Sequence, residues 1–537
     1  MTVTLLRPYS SYASGATITL DSATEASLVG QGYASRVSTL ASIPPGGLTQ
    51  SDAGTIARMT QSNTGMLVLD GDSLNSHAFN EVGISSASQT GGVATMVFTA
   101  FSPPIGSQVI VHGYTDARWN GLKTITGYAA ANQIQFAIDS AADAVPTQDL
   151  HSPCGIAMAQ QRTDSQWIWA QMLAGKIYPL RVFAARGARK LAEIARDYSA
   201  NVAPYLTLGD TYYIQAGTND ARDSGFVLAN SVAALESILK QVNFAGARAI
   251  IGTIPPQAGA ENTTARVNAT AALNKEYRRL AIAYGARILP VDEIMADPAS
   301  TTWGAISGYI DTGDSIHPTP AAMKAIGAVL YPMLDDSGMG SKMPIPATVS
   351  DSTAVFASAS NILATGFFAG TGGAVSGAGV SGSVATGWTV TGSPTGGAAT
   401  MVASKGTLGG VGASQIITVD ATAGVCTVAP ATVHASMVAG GTYVMVGKVK
   451  NDLSADVRCT LGTIMTQSGV ASLEQRAIGA PSTTLRLPAN CGTFSFVSAP
   501  FVASPVPTSC VPQAVFVLTG ATTGTIEYAQ FAYRRID

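Results

Sequence analysis

The sequence predicts an α/β domain built on a parallel sheet with helices on both faces, interrupted by a β-rich insertion and followed by an all-β C-terminal sandwich. Three observations predict this. Between Met66 and about Leu334, short apolar strands alternate with amphipathic helices, the pattern of a parallel sheet buried on both sides. From about Ser85 to Pro153 the helical spacing disappears and strands follow one another directly. After a small-residue linker, SGMGSKMPIPATVSDS, short strands separated by Gly/Ser/Thr turns run to the end of the chain.

The elements follow in order. Residues 1–50 form a small separate unit, in which VTLLRP and ATITL alternate like strands, SATEASLVGQG reads as a short helix, and IPPGG closes the segment. The α/β domain spans 51–345. MLVLDGDS is its first strand running into a loop. VATMVFTAF, SQVIVHGY, KTITGYA and NQIQFAID are the strands of the insertion, 85–153. DSQWIWAQMLAG has helical spacing, with Trp167, Trp169 and Met172 toward a core. PLRVFAARG reads as a buried strand and ARKLAEIARDY as a helix. TYYIQAGTND is the next strand and loop, SGFVLANSVAALESILKQVNF a long helix, and ARAIIGTIPP a strand stopped by Pro255 and Pro256. TTARVNATAALNKEYRRLAIAYGA is a helix ended by Gly285, ARILPVDEI a strand, and PTPAAMKAIGAVLYPML a last helix with Pro318 and Pro320 at its start. In the C-terminal part, 350–537, QIITVDA, TYVMVGKVK, TFSFVSAPF and AVFVLTG are strands of a sandwich.

Composition narrows the class. Of 537 residues only 12 % are charged, 46 % are hydrophobic and 56 are glycine, so hydroxyls, amides and backbone must solvate much of the surface. That suits β-rich secreted or particle-bound proteins. A net charge of −3 without a basic cluster gives no footprint for nucleic acid or an anionic membrane. No apolar run is long enough to span a bilayer, and MTVTLLRPYSSYASG lacks the sections of a signal peptide, so export by the general secretory route is not expected. Cys154, Cys426, Cys459, Cys491 and Cys510 are odd in number and widely spaced, and buried free thiols are the expectation. The five histidines show no metal-ligand spacing.

Ser73, in LVLDGDSLNSH, stands where a strand of an open parallel sheet ends, the edge at which such sheets carry their sites. A serine hydroxyl becomes a nucleophile only with a base to take its proton, a group to orient the base, and donors for the oxyanion. The chain supplies them at other strand ends. DTGDSIHPTP carries Asp314 three residues before His317, a spacing that lets the carboxylate reach the imidazole Nδ1. QAGTND places the Asn219 amide at a strand end, and AARGARK places Gly187 at a strand-to-helix junction. Asp311 is the second candidate for the carboxylate, and Asp72 reads as a brace for loop backbone. Asp70 reads as solvated or capping, and His112 and His151 as surface residues. His77 reads as a rim or substrate contact. Trp119 and Tyr114 present either a sugar-stacking surface or the packing of their own β-domain.

The set GDSL (Gly71–Leu74), Gly187, GTND (Gly217–Asp220) and DSIH (Asp314–His317) resembles the SGNH or GDSL hydrolases, whose blocks occur in this order at strand ends. The resemblance covers roughly residues 64–335 outside the insertion and implies a flavodoxin-like sheet. It implies Ser73 as nucleophile, His317 as base, Asp314 as its orienting carboxylate, and the N–H groups of Ser73 and Gly187 with the Asn219 side chain as the oxyanion hole. It implies an acyl-enzyme route without metal or cofactor.

The accessory parts bear on substrate. A Gly/Ser/Thr-rich sandwich beside an esterase looks like a carbohydrate-binding module, and ATGWTVTGS, with Trp388, loosely resembles early strands of a jelly roll. Residues 1–50 and the insertion are similar in character to modules of bacteriophage tail proteins. The expectation is a tail-spike or tail-fibre esterase that removes acetyl groups from an acetylated bacterial surface polysaccharide, capsule or O-antigen. It would be attached to tail or baseplate proteins through its N-terminus, trimeric, and carried on the virion to act outside the cell. A lipase or thioesterase secreted by a bacterium, and a catalytically inactive glycan receptor-binding protein, are the alternatives.

Overall fold

The computed structural model describes residues 2–5, 17–19, 34–36, 65–98, 103–116, 118–147, 154–346, 367–410, 412–430, 437–479 and 486–536. The chain divides into two compact units, Met1–Ser76 with Tyr178–Gly340, and His77–Ile177 with Ser341–Asp537.

The first unit is built on five parallel strands, β1 Leu67–Gly71, β2 Leu180–Phe183, β3 Thr211–Gln215, β4 Arg248–Gly252 and β5 Arg287–Leu289. Their spatial order is 2-1-3-4-5. This is the flavodoxin-like order, whose reversal between β1 and β3 opens a crevice at the carboxyl ends of those two strands. Every residue of β1 and β3 is buried, which explains why both read as near-continuous apolar runs rather than alternating ones. Leu67 to Gly71 pair in register with Thr211 to Gln215.

The helices are α1 Ser73–Ser76, α2 Leu191–Asn201, α3 Thr218–Arg222, α4 Leu228–Phe244, α5 Thr264–Tyr284, α6 Val291–Met295 and α7 Pro320–Asp336. One face of the sheet, through Val68, Tyr212, Ile214, Ala249 and Ile251, packs with Leu191 and Ile194 of α2, Leu235 and Leu239 of α4, and Leu273 and Leu280 of α5. The opposite face meets α7, where Arg287 of β5 donates to the Met333 carbonyl. Local chemistry sets the ends. Thr263 caps α5 by accepting from Arg266 N, and Gly285 ends it in the left-handed region at φ +63°. Thr319 caps α7, with Pro320 in its first turn. The sequence missed α6, a short turn hidden behind the strand pattern of ARILPVDEI.

Of residues 1–50, three short antiparallel strands are described, Thr2–Leu5 between Thr17–Thr19 and Ala34–Arg36. The helix expected from SATEASLVGQG lies outside the described residues.

In the second unit the expected insertion is part of a longer excursion that begins at Phe79–Thr90 and closes with Cys154–Gln161. Cys154–Gln161 pairs antiparallel with Phe79–Thr90 and Gln108–His112, and joins Val470–Ile478 in parallel through Gln160 and Arg476. The inserted strands therefore continue one sheet of the C-terminal region. A second sheet of that region holds Ser414–Ala421, Thr442–Leu453, Gly492–Val497 and Thr522–Arg535. Trp388 of the first sheet meets Phe531 of the second at 5.9 Å, with Phe368 against both, so two sheets enclose one core. The helix Gln166–Ala174 departs from expectation. It packs on Gly492–Val497, with Trp169 5.7 Å from Phe494, rather than serving as a crossover of the α/β domain. Residues Gln166 to Met172 are all buried, a helix with no solvent face to mark its side. Cys426, Cys459 and Cys510 are buried free thiols, and Cys491 is buried with its Sγ accepting from Asn451 Nδ2. No helix among the described residues is long and apolar enough to cross a membrane.

Candidate active site

The turn that carries Ser73 is forced by its neighbours. Gly71 leaves β1 at φ +137°, and a Cβ there would stand 2.1 Å from the Gln215 carbonyl oxygen of β3, so no other residue fits. Asp72 N donates to the same carbonyl at 3.1 Å, and the Asp72 carbonyl accepts from Asn75 N and Ser76 N to open α1. The Asp72 carboxylate accepts from Leu74 N at 3.0 Å, and Asn75 Nδ2 donates back to the Asp70 carbonyl at 2.8 Å. Asp72 is a brace within the turn, and complete burial pushes its carboxyl up to about 7, with the Asp220 charge adding to the rise against the Leu74, Thr218 and Gly217 amides.

His317 arrives from the loop between α6 and α7. Asp314 shapes that loop by accepting from the amides of Ile316 at 2.8 Å and His317 at 2.9 Å through one carboxylate oxygen. Its other oxygen meets His317 Nδ1. The imidazole Nε2 lies 2.8 Å from Ser73 Oγ. With Nδ1–H held by the carboxylate, Nε2 is the nitrogen that accepts from the serine hydroxyl. Burial acts to raise the Asp314 carboxyl, but the His317 amide, its imidazole and the Ile316 amide outweigh it and hold the group below the usual range. Asp311, the second candidate for this place, instead accepts from Gly313 N at 2.8 Å and ties the loop through its backbone to Ser315 and His317.

Asn219 stands on α3, directly after β3. Gly217 is required there, at φ +106°, because a Cβ would stand 2.2 Å from the Tyr277 hydroxyl and 2.8 Å from Ile254 Cδ1. Asn219 Nδ2 donates to the Arg189 carbonyl at 3.1 Å, which uses one of its two N–H bonds. Gly187 lies half-buried in the loop after β2, tied to β1 by Arg186 N donating to the Gly71 carbonyl at 3.2 Å. A Cβ at Gly187 would meet nothing within 4 Å.

The residues expected outside this centre fall elsewhere. Trp119 is fully buried, donates to the Asp143 carbonyl at 3.2 Å, and packs on Tyr114 and Phe136, so it offers no stacking surface. His112, expected at the surface, is buried too, and His151 lies outside the described residues. His77 belongs to the second unit, its Nδ1 3.6 Å from Asp164. Asp70 is neither solvated nor a cap. It is 1 % exposed, accepts from Gly71 N at 2.8 Å and Tyr212 Oη at 2.9 Å, and pairs with the equally buried Arg189 at 3.3 Å. Burial raises its carboxyl, while Arg189 opposes the rise. Nothing local marked this pair, since its members lie 119 positions apart.

The arrangement is one that can take a proton from a serine hydroxyl and hold the resulting imidazolium against a carboxylate. Residues 139–325 match the GDSL-like lipase/acylhydrolase family. That stretch contains Gly187, Asn219, Asp314 and His317, while Ser73 precedes it on the far side of the inserted strands. A comparison with curated proteins gives no match. Among solved structures, the chain is similar to a lipase/acylhydrolase from Enterococcus faecalis, with 16 % identity over 32 % of this chain and 81 % of the other, TM-score 0.26. It is similar to a GDSL-like lipase from Bacteroides thetaiotaomicron, with 13 % identity over 29 % and 75 %, TM-score 0.26. An acetylxylan esterase from Geobacillus stearothermophilus shares 14 % identity over 29 % and 71 %, TM-score 0.25. The family match and the order of its blocks, from GDSL at Gly71 to the histidine of α7's leading loop, give one conclusion: this chain carries a GDSL-like lipase/acylhydrolase domain.

Proposed function

We propose that this chain is a serine esterase that removes O-acetyl groups from a bacterial surface polysaccharide, capsule or O-antigen, as the enzyme of a phage tail spike or tail fibre. The observation that carries the esterase reading is the continuous line from the Asp314 carboxylate through the His317 ring to Ser73 Oγ, closed by a 2.8 Å contact. In this reading Ser73 Oγ attacks the acetyl carbonyl carbon while its proton passes to His317 Nε2. The N–H groups of Ser73 and Gly187 and the Asn219 amide receive the charge on the carbonyl oxygen. Collapse breaks the bond to the sugar oxygen, which takes the proton back from His317, and leaves Ser73 acetylated. Water, deprotonated by the same imidazole, then releases acetate and restores the serine.

The choice of an acetylated glycan rests on the company the domain keeps. A charged fraction of 12 %, with Gly, Ser and Thr on long β-sheets, is the character of particle-bound proteins working in the open. A trimer joined to the particle through residues 1–50 completes the proposal.

Acetate release from candidate host polysaccharides, with Ser73→Ala as control, tests it. Release by the unmutated chain and none by the variant supports the reading. Preference for p-nitrophenyl octanoate over the acetate ester would move the protein to the lipases, and no release from any acetylated glycan would leave a receptor-binding protein. Light scattering gives the subunit count, and a mass other than three chains removes the trimer.

A further inference from the structure

We propose that Arg189 is a positioning residue that holds the oxyanion donors in place, an inference that rests on the esterase reading above. Arg189 lies two residues beyond Gly187, and its own carbonyl is what Asn219 Nδ2 is bonded to, at 3.1 Å. Its side chain is 2 % exposed and divides its donors among three elements. Nη1 donates to the Ala184 carbonyl at the end of β2, at 2.9 Å, and faces Asp70 of β1 at 3.3 Å, while Nη2 faces Asp197 of α2 at 3.5 Å. Asp70 in turn holds Gly71 N and, through its carbonyl, Asn75, on the two sides of Ser73.

The segment after Arg189 is strapped to α3, the helix that carries Asn219, and to its end. Leu191 N donates to the Asp220 carboxylate at 2.9 Å, and Lys190 Nζ donates to Asp223 at 2.5 Å. A side chain buried under the nucleophile turn thus sets the position of the backbone against which Asn219 is aligned. Only a planar fork reaches all three elements together, and a lysine would satisfy one of them. Oxyanion donors act through their distance and direction to a developing charge, so small displacement costs rate and leaves substrate binding largely intact.

The test uses the full-length protein with Arg189→Lys, Arg189→Met, and Asp70→Asn combined with Arg189→Met, which avoids stranding the Asp70 charge where a single change prevents folding. With p-nitrophenyl acetate, kcat falls by about tenfold or more while KM stays within about twofold, a fraction of the 10²–10³ lost with a whole donor. Adding Asn219→Ala to Arg189→Lys then lowers kcat by about tenfold less than the same change does in the unmutated chain, because part of that donor's contribution is already lost. A folded variant with unchanged kcat, or two effects that multiply in full, overturns the proposal. A crystal structure of Arg189→Lys gives the second readout, independent of activity. There the Asn219 amide leaves the residue-189 carbonyl; a contact still near 3.1 Å refutes the positioning role even if the unmutated protein proves to cleave no ester. Absence of esterase activity in the unmutated protein, with the amide displaced in the variant, refutes the esterase reading alone.

Discussion

Replacing Asp72 by Asn removes a titration that makes the folded chain weaker as the solution becomes less acid. The carboxyl stands at about 7 in the folded state against an ordinary value of 3.8, because burial disfavours its charge. The folded chain therefore holds this proton over a range in which the unfolded chain has released it. The resulting stabilisation is full below 3.8, declines as pH rises, and is gone above about 7. From pH 5 to 7 the decline covers two units at about 1.4 kcal/mol each, so the unmutated hydrolase unit loses about 2.7 kcal/mol through this one group. Asn keeps an oxygen for the Leu74 amide and carries no proton to lose. Urea unfolding at pH 5 and pH 8, read by hydrogen exchange on peptides of β1 and β3, gives the difference for each protein. The change between the two pH values should be smaller in Asp72→Asn by about 2.7 kcal/mol, whatever the variant's baseline stability. Equal pH dependence in the two proteins would refute the reasoning and mean that Asp72 is ionised in the folded chain across that range.

Four further outcomes are open to direct measurement. Ser73→Ala and His317→Ala each lower kcat on p-nitrophenyl acetate by about 10⁴-fold or more with unchanged melting temperature, and retention of a tenth of the activity would exclude the proposed roles. Asn219→Ala costs about 10²–10³ in kcat with KM little changed, and a rise in KM alone would make Asn219 a binding residue instead. Gly71→Ala cannot be accommodated, since its Cβ lies 2.1 Å from the Gln215 oxygen at a φ of +137°, so the purified variant should be unfolded or recovered in aggregates, and a normal melting curve contradicts the geometry. Trp119→Ala empties the core of the inserted strands and costs about 3–5 kcal/mol by hydrogen exchange of Gln108–His112, a result that surface aromatics do not produce.

The parts of the site on short stretches were legible in the sequence. GDS, GTND and DSIH each combine a strand end with a chemically special residue, and the local rules for glycine and for a carboxylate three residues from a histidine act within a single turn. The sheet was legible for a similar reason, since buried parallel strands read as unbroken apolar runs between amphipathic helices. What escaped is long-range. The Asp70–Arg189 pair joins β1 to the loop after β2, 119 positions away in the chain, and no residue near either member marks the pairing. Trp119 left both its readings open, because a turn aromatic is exposed or buried according to partners elsewhere, here Tyr114 and Phe136. The Gln166–Ala174 helix misled because its spacing is correct for a helix and silent on which sheet it covers.

The division of the chain also sets an order of events at the ribosome. β1, the strand leading to the nucleophile, is synthesised before either of its sheet neighbours, β2 and β3, and waits through the whole excursion to Ile177. The hydrolase sheet can then close while the C-terminal strands are still unmade. Cys154–Gln161 waits longer, for its parallel partner Val470–Ile478 comes roughly 300 residues later, on the order of 15–60 s at ordinary elongation rates. Throughout that interval the nascent chain carries a helix, Gln166–Ala174, without the surface it is destined to cover. Ending the chain at Pro346 would make that interval permanent, leaving a hydrolase sheet with all five strands attached to an apolar helix without its covering strand, the kind of exposed patch that drives aggregation.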